Sequence, residues 1–144
     1  LINPIRIFWK NKFMGHIHFD LQYHIVFATK NRYPYLTPEM ISLIQSMVME
    51  LSSLLRFEVI ALNGFVDHLH LLLRIPPHLS VATVVKRVKG RTSREIGDLY
   101  WQVGYWVAGV ESRNIPTITE YIRNQWESHP NRQLENSAFY EPSP

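Results

Sequence analysis

The segment Val66-Asp67-His68-Leu69-His70-Leu71-Leu72-Leu73 leaves a folding chain little choice. Successive side chains of a strand point to opposite sides, so Leu69, Leu71 and Leu73 line one face while His68, His70 and Leu72 line the other. The sheet that holds this strand must be core on one side and must carry two imidazoles on its other side. The strand is expected over Val66–Ile75, ended by Pro76 and Pro77. The short run Phe57–Asn63, broken by Gly64, precedes it and makes a hairpin with it.

A second two-faced strand reads from His16 to Ala28. Ile17, Phe19, Leu21, Tyr23, Ile25 and Phe27 alternate with His16, His18, Asp20, Gln22 and His24, the pattern of a half-buried strand. After it, Thr37 caps a helix in which Ile41, Ile44, Met47, Val48, Leu51 and Leu55 recur at helical spacing. Ser80 caps a second helix whose Val81, Val84, Val85 and Val88 face inward, with Gly90 loosening its middle. Tyr105–Val110 is a fourth strand. Beyond Pro116, Thr117 and Glu120 have capping-box spacing and open a final helix that reaches Ser128.

Strand, helix, strand, strand, helix, strand is the order of the ferredoxin-like split βαββαβ fold, of the α+β class. It predicts a four-stranded antiparallel sheet with two helices on one face, plus a C-terminal helix that carries Tyr121. The other sheet face is expected to be open, with the polar sides of the first and third strands meeting there. With 144 residues, 46% of them hydrophobic and 19% charged, the chain supports one domain. That domain is placed at 16–130, between an extension at 1–15 and a tail at 131–144, neither of which is given a role. No apolar run approaches the roughly 18 residues of a membrane span. A soluble cytoplasmic protein is expected.

Two imidazoles on one strand face can hold a cation only with a further ligand. The chain has no cysteine, which leaves imidazole, carboxylate and carbonyl donors. Tyr121 and Gln125, four residues apart, share one face of the final helix, next to an apolar stripe of Ile118, Ile122 and Trp126. Laid over the open sheet face, that helix would bring the Gln125 side-chain oxygen to His68 and His70, with Tyr121 beside them. Such a cation would polarise a phosphodiester, and Tyr121 could attack the phosphorus. A phenol, with a pKa near 10, needs help to ionise. Oxygen ligands suit Mg²⁺, and two imidazoles favour Mn²⁺.

Each of these residues also has an ordinary reading: a packed histidine pair, a half-buried helix tyrosine, a solvent-facing amide. Asp67 is placed to orient a histidine or to cap the hairpin turn. His24 falls near the imidazole pair and is assigned no role; His16 and His18 belong to the strand edge. Net charge is +3, and Lys86, Arg87, Lys89, Arg91 and Arg94 fall within nine residues. With Lys30 and Arg32 they are candidate contacts to a DNA backbone, against the alternative of a solvated helix face. Tyr100, Trp101, Tyr105 and Trp106 either stack on bases or pack about the fourth strand at a dimer interface.

The residues 67–77, "DHLHLLLRIPP", resemble the HUH motif (His, hydrophobic, His) of the single-tyrosine transposases of the insertion-sequence 200/605 type. Supporting blocks are "YHIVFATKNRYPYL" at 23–36, "VVKRVKGRTSREI" at 84–96, "GYWVAGV" at 104–110 and "YIRNQ" at 121–125, in the order of that family over residues 23–128. The resemblance implies a homodimer that recognises hairpins in single-stranded DNA at element ends. It implies cleavage through a 5′-phosphotyrosine link, a free 3′-OH, and rejoining without an external energy source, in association with the nucleoid of a prokaryotic cell. By motif position His68 and His70 are the ligands of a divalent metal, Mg²⁺ or Mn²⁺. Gln125 is its third ligand and Tyr121 the nucleophile. In that family the tyrosine helix is often donated to the partner subunit, and Glu111–Pro116 is the candidate hinge. The rivals are another HUH endonuclease, such as a relaxase, a domesticated or inactive relative that binds single-stranded DNA, and a non-catalytic nucleic-acid-binding module. The last of these calls for stacking aromatics on the open face.

Overall fold

The structure, a computed structural model, describes residues 17–128; the extension, the tail and His16 lie outside the described residues. Strand β1 (Gln22–Ala28) is followed by helix α1 (Pro38–Leu55), the hairpin β2 (Glu58–Phe65) and β3 (His68–Arg74), helix α2 (Val81–Glu95), strand β4 (Trp106–Val110), and two C-terminal helices, α3 (Ile115–Arg123) and α4 (Gln125–Ser128). Hydroxyl caps start both long helices. Thr37 accepts a hydrogen bond from Met40 N with Pro38 in the first turn, and Ser80 accepts from Thr83 N, each satisfying one of the amides that a helix N-terminus leaves unpaired. Helix α1 stops where Arg56 turns left-handed, at φ 64°.

The strands form one antiparallel sheet in the order β2-β3-β1-β4, the ferredoxin-like arrangement that the element order predicts. On one face Ile25 and Phe27 of β1 join Leu69, Leu71 and Leu73 of β3. Ile41, Ile44, Met47, Val48 and Leu51 of α1 and Val84, Val85 and Val88 of α2 close over them. This is the main core.

The second face is not open along its length. Leu72 shares that face with the histidines, and an apolar side chain there has to be covered. Ile115 and Ile122 of α3 cover it, packing on Leu72 and Ala61. A bulge between Val59 and Ala61 leaves Ile60 as an extra residue in β2, and Ile60 also packs against this smaller cluster.

Three of the boundaries that differ from expectation have a physical reason. Strand β1 begins at Gln22 because its partners end at Arg74 and Val110; one further bond, from Ile75 N to the Leu21 carbonyl, closes the pairing. Gly64 continues β2 to Phe65. A Cβ there would stand 2.5 Å from the His68 carbonyl oxygen, so the missing side chain permits the close approach. The turn falls instead at Val66-Asp67. The final helix starts at Ile115, not Thr117, with Pro116 in its first turn, and breaks at Asn124, where ψ rises to 20°.

Candidate active site

His68 and His70 project from β3 onto the second sheet face, each 3% exposed. Strand β1 adds a third imidazole. The pairing of Val26 with His70 and of His24 with Leu72 places His24 diagonally beside His70 on that face. His24 Nε2 lies 2.9 Å from His70 Nδ1 and the two rings stack at 5.2 Å. Burial pushes the His24 pKa down to about 4, so the ring is neutral at neutral pH. The alternation of the first strand already put His24 on the polar face; the register that brings it to His70 is not visible in the sequence.

Helix α3 is held over these rings by Ile115 and Ile122. It carries Tyr121, whose ring centre is 5.6 Å from that of His70 and 6.3 Å from that of His24, both edge-on. Tyr121 is 36% exposed, in contrast to the buried rings beneath it. The break at Asn124 turns the chain so that Gln125, fully buried, enters from the first position of α4. Asn63 of β2 fixes the break by donating to the Arg123 carbonyl.

The hydrogen bonds orient the donor atoms. Asp67 Oδ1 lies 2.7 Å from His68 Nδ1, and its Oδ2 accepts from Arg32 Nε at 3.1 Å. Burial pushes the Asp67 carboxyl up, but the bonds from His68 and Arg32 outweigh it and hold it below the usual carboxylate range. A carboxylate only accepts, so the proton of a neutral His68 sits on Nδ1 and its Nε2 lone pair points away. Nε2 is directed at Gln125 Oε1, 3.3 Å distant. The Gln125 amide donates its Nε2 to the Tyr121 carbonyl, which turns Oε1 toward the histidine. In the neutral ring an imidazole lone pair then faces an amide oxygen, an arrangement that a cation between them satisfies. The donor set fits a divalent metal with mixed nitrogen and oxygen ligands.

Of the basic candidates, Arg32 is joined to the site through Asp67, and Lys30 is exposed on the same loop. Lys86, Arg87 and Arg94 are exposed on α2, in the helix layer across the sheet from the imidazoles. Lys89 is engaged within the fold: its ammonium donates to the carbonyls of Gln102 and Gly104 and lies over the Phe27 ring. Arg91 bridges Glu50 and Glu95. Among the aromatics, Trp106 packs edge-on against His24 at 5.1 Å. Trp101 packs on Phe27 and donates to Thr92, while Tyr100 and Tyr105 are exposed.

Residues 17–125 match the family model described as transposase, IS200-like. The chain is 31% identical over 128 residues to the transposase for insertion sequence element IS200 of Salmonella typhimurium, covering 81% of this chain and 84% of that protein. It is 25% identical over 119 residues to the ISDra2 transposase TnpA of Deinococcus radiodurans, covering 74% and 85%. The solved structure of a REP-associated tyrosine transposase bound to a REP hairpin superposes with a TM-score of 0.65 over 88% of each chain, at 12% identity. That likeness shows the shared fold.

Proposed function

The chain belongs to the IS200-like transposase family, and on that premise we propose that it cleaves and rejoins hairpin-bearing single-stranded DNA at insertion-sequence ends. Tyr121 is the nucleophile, and His68, His70 and Gln125 hold Mg²⁺ or Mn²⁺. The observation that carries this reading is the convergence of a partly exposed tyrosine on two buried imidazoles and an oriented amide oxygen from β3 and α4.

In cleavage the Tyr121 Oη forms a bond to phosphorus as the bond from phosphorus to the 3′ oxygen breaks. The phenol proton is lost to the surroundings, and the departing 3′ oxygen takes one up. The products are a 5′-phosphotyrosine and a free 3′-OH. The phosphotyrosine keeps the energy of the original diester, so attack on it by a 3′-OH of another end rejoins the strand with no cofactor consumed. When bound, the cation supplies Lewis-acid polarisation of the phosphodiester. The residues of the chain do the rest: α3 holds the phenol over the imidazoles, and Asp67 fixes the ring of His68.

Lys30 and Arg32, next to the site, are the proposed contacts to the cleaved strand, and Lys86, Arg87 and Arg94 to a more distant part of the DNA. The protein is read as a homodimer acting on chromosomal DNA in the cytoplasm. No helix among the described residues is long and apolar enough to cross a membrane.

The test is denaturing gel electrophoresis of the protein with labelled single-stranded DNA from the ends of its own locus, in Mg²⁺, in Mn²⁺ and in EDTA. A covalent adduct that needs both the cation and Tyr121 supports the proposal. Binding of the hairpin ends with no adduct refutes it and leaves a DNA-binding protein.

A further inference from the structure

His24 is the imidazole of the cluster for which cleavage itself specifies no task. It is 6% exposed, stacked on His70 with 23° between the ring planes, and closed in at its edges by Trp106 and Tyr121. Its hydrogen bond to His70, from Nε2 to Nδ1 at 2.9 Å, contains one proton, and the two placements of that proton have different consequences. If His24 Nε2 carries it, His70 accepts at Nδ1, and a neutral His70 then has its own proton on Nε2, with no lone pair left for a ligand bond. If His70 Nδ1 carries it, His70 Nε2 keeps its lone pair.

We propose that His24 is a positioning residue: its Nε2 accepts the Nδ1 proton of His70 and so holds His70 in the tautomer that presents Nε2 to a divalent cation. This rests on the reading of His70 as a cation ligand. It gives the two ligand histidines separate supports, since Asp67 does the same for His68 at 2.7 Å.

The test measures Mn²⁺ affinity, from the electron paramagnetic resonance signal of free Mn²⁺, in the wild type and in His24→Phe, His24→Gln and His70→Ala. His24→Phe is expected to weaken binding by roughly 10- to 100-fold, the usual cost of losing a partner behind a metal-bound histidine. His24→Gln, whose side-chain oxygen can accept the same proton, is expected to restore most of it. ¹⁵N spectra of the imidazoles in the metal-free wild type give a second measurement that depends on no variant folding. They should show His70 protonated at Nδ1 and His24 Nε2 unprotonated. The reverse pattern overturns the proposal. So does a folded His24→Phe that binds Mn²⁺ as tightly as wild type while His70→Ala loses it, a result that would leave the ligand reading intact. Undiminished binding by His70→Ala would refute the ligand reading, and the proposal with it.

Discussion

His68 Nε2 and Gln125 Oε1 lie 3.3 Å apart in space and 57 residues apart in the chain. The first atom is placed by the β2–β3 turn, where Asp67 precedes the strand and accepts a hydrogen bond from His68 Nδ1. The second is placed by the break at Asn124 and by the bond from the Gln125 amide to the Tyr121 carbonyl. The same amide therefore aims an oxygen at a histidine and ties it to the backbone of the candidate nucleophile.

Gln125→Leu should retain the shape of the buried site but remove the oxygen. We expect Mn²⁺ affinity and the rate of adduct formation to fall about tenfold or more, with hairpin binding within a few-fold of wild type. Calorimetric Mn²⁺ titration and a gel-shift assay check the two halves, and an unchanged Mn²⁺ affinity would remove Gln125 from the ligand set.

Tyr121→Phe should eliminate the covalent adduct and leave hairpin affinity nearly unchanged, since the hydroxyl is needed for attack and not for phosphate contact. The ring is retained, so its edge contacts with His70 and His24 persist. A large loss of hairpin binding would mark Tyr121 as a structural residue.

Asp67→Ala removes an acceptor that His68 Nδ1 and Arg32 Nε share. The expected effect is a 10- to 100-fold slower adduct formation at fixed Mn²⁺, reduced by raising the Mn²⁺ concentration. Asp67→Asn, which retains an acceptor oxygen, should lie between alanine and wild type. Equal rates for all three proteins would show that the carboxylate serves only the turn.

Ile122→Ala opens a void where α3 meets Leu72 and Ala61. A fully buried isoleucine cut to alanine costs about 2–5 kcal/mol. Because α3 is attached to the sheet by this small cluster, the cost should appear as local opening. Hydrogen exchange of the α3 amides is expected to accelerate roughly 30-fold or more, the equivalent of about 2 kcal/mol, with a smaller change in β1 and β3. Uniform acceleration in all elements would mean that α3 unfolds only with the whole domain.

Asp20 accepts hydrogen bonds from Ser112, ahead of α3, and from Gln22. The Ser112 bond, opposed by burial and aided by Gln22 and Arg74, holds the Asp20 carboxyl below its ordinary 3.8. With the folded value below the unfolded one, the unfolded chain binds more protons between the two. The contribution to stability is thus present above the ordinary carboxylate pKa and is lost as pH falls through the folded value. Asp20→Asn should flatten the acid limb of stability below about pH 4 in urea unfolding experiments; an unaltered acid limb would show that other carboxylates set it.

What the sequence determined by itself is periodic and local. The alternation of Leu69, Leu71 and Leu73 with His68 and His70 assigned a core face and an imidazole-bearing face to β3, because side chains alternate along any strand. Thr37 and Ser80 marked helix starts because a hydroxyl caps only the turn that follows it. The spacing of Tyr121 and Gln125 put them together even though the helix between them is broken. Tertiary structure decided the remainder. That His24 meets His70 depends on the register of β1 against β3, and that Gly64 continues a strand depends on the His68 carbonyl it passes. Thr117 and Glu120 have the spacing of a capping box, yet α3 begins two residues earlier, with Ile115 buried against Leu72 and Ala61. The basic cluster read as one patch divides because Lys89 and Arg91 find partners within the fold. Each of these outcomes joins residues distant in the chain, and a local pattern carries no information about the register or docking that brings them into contact.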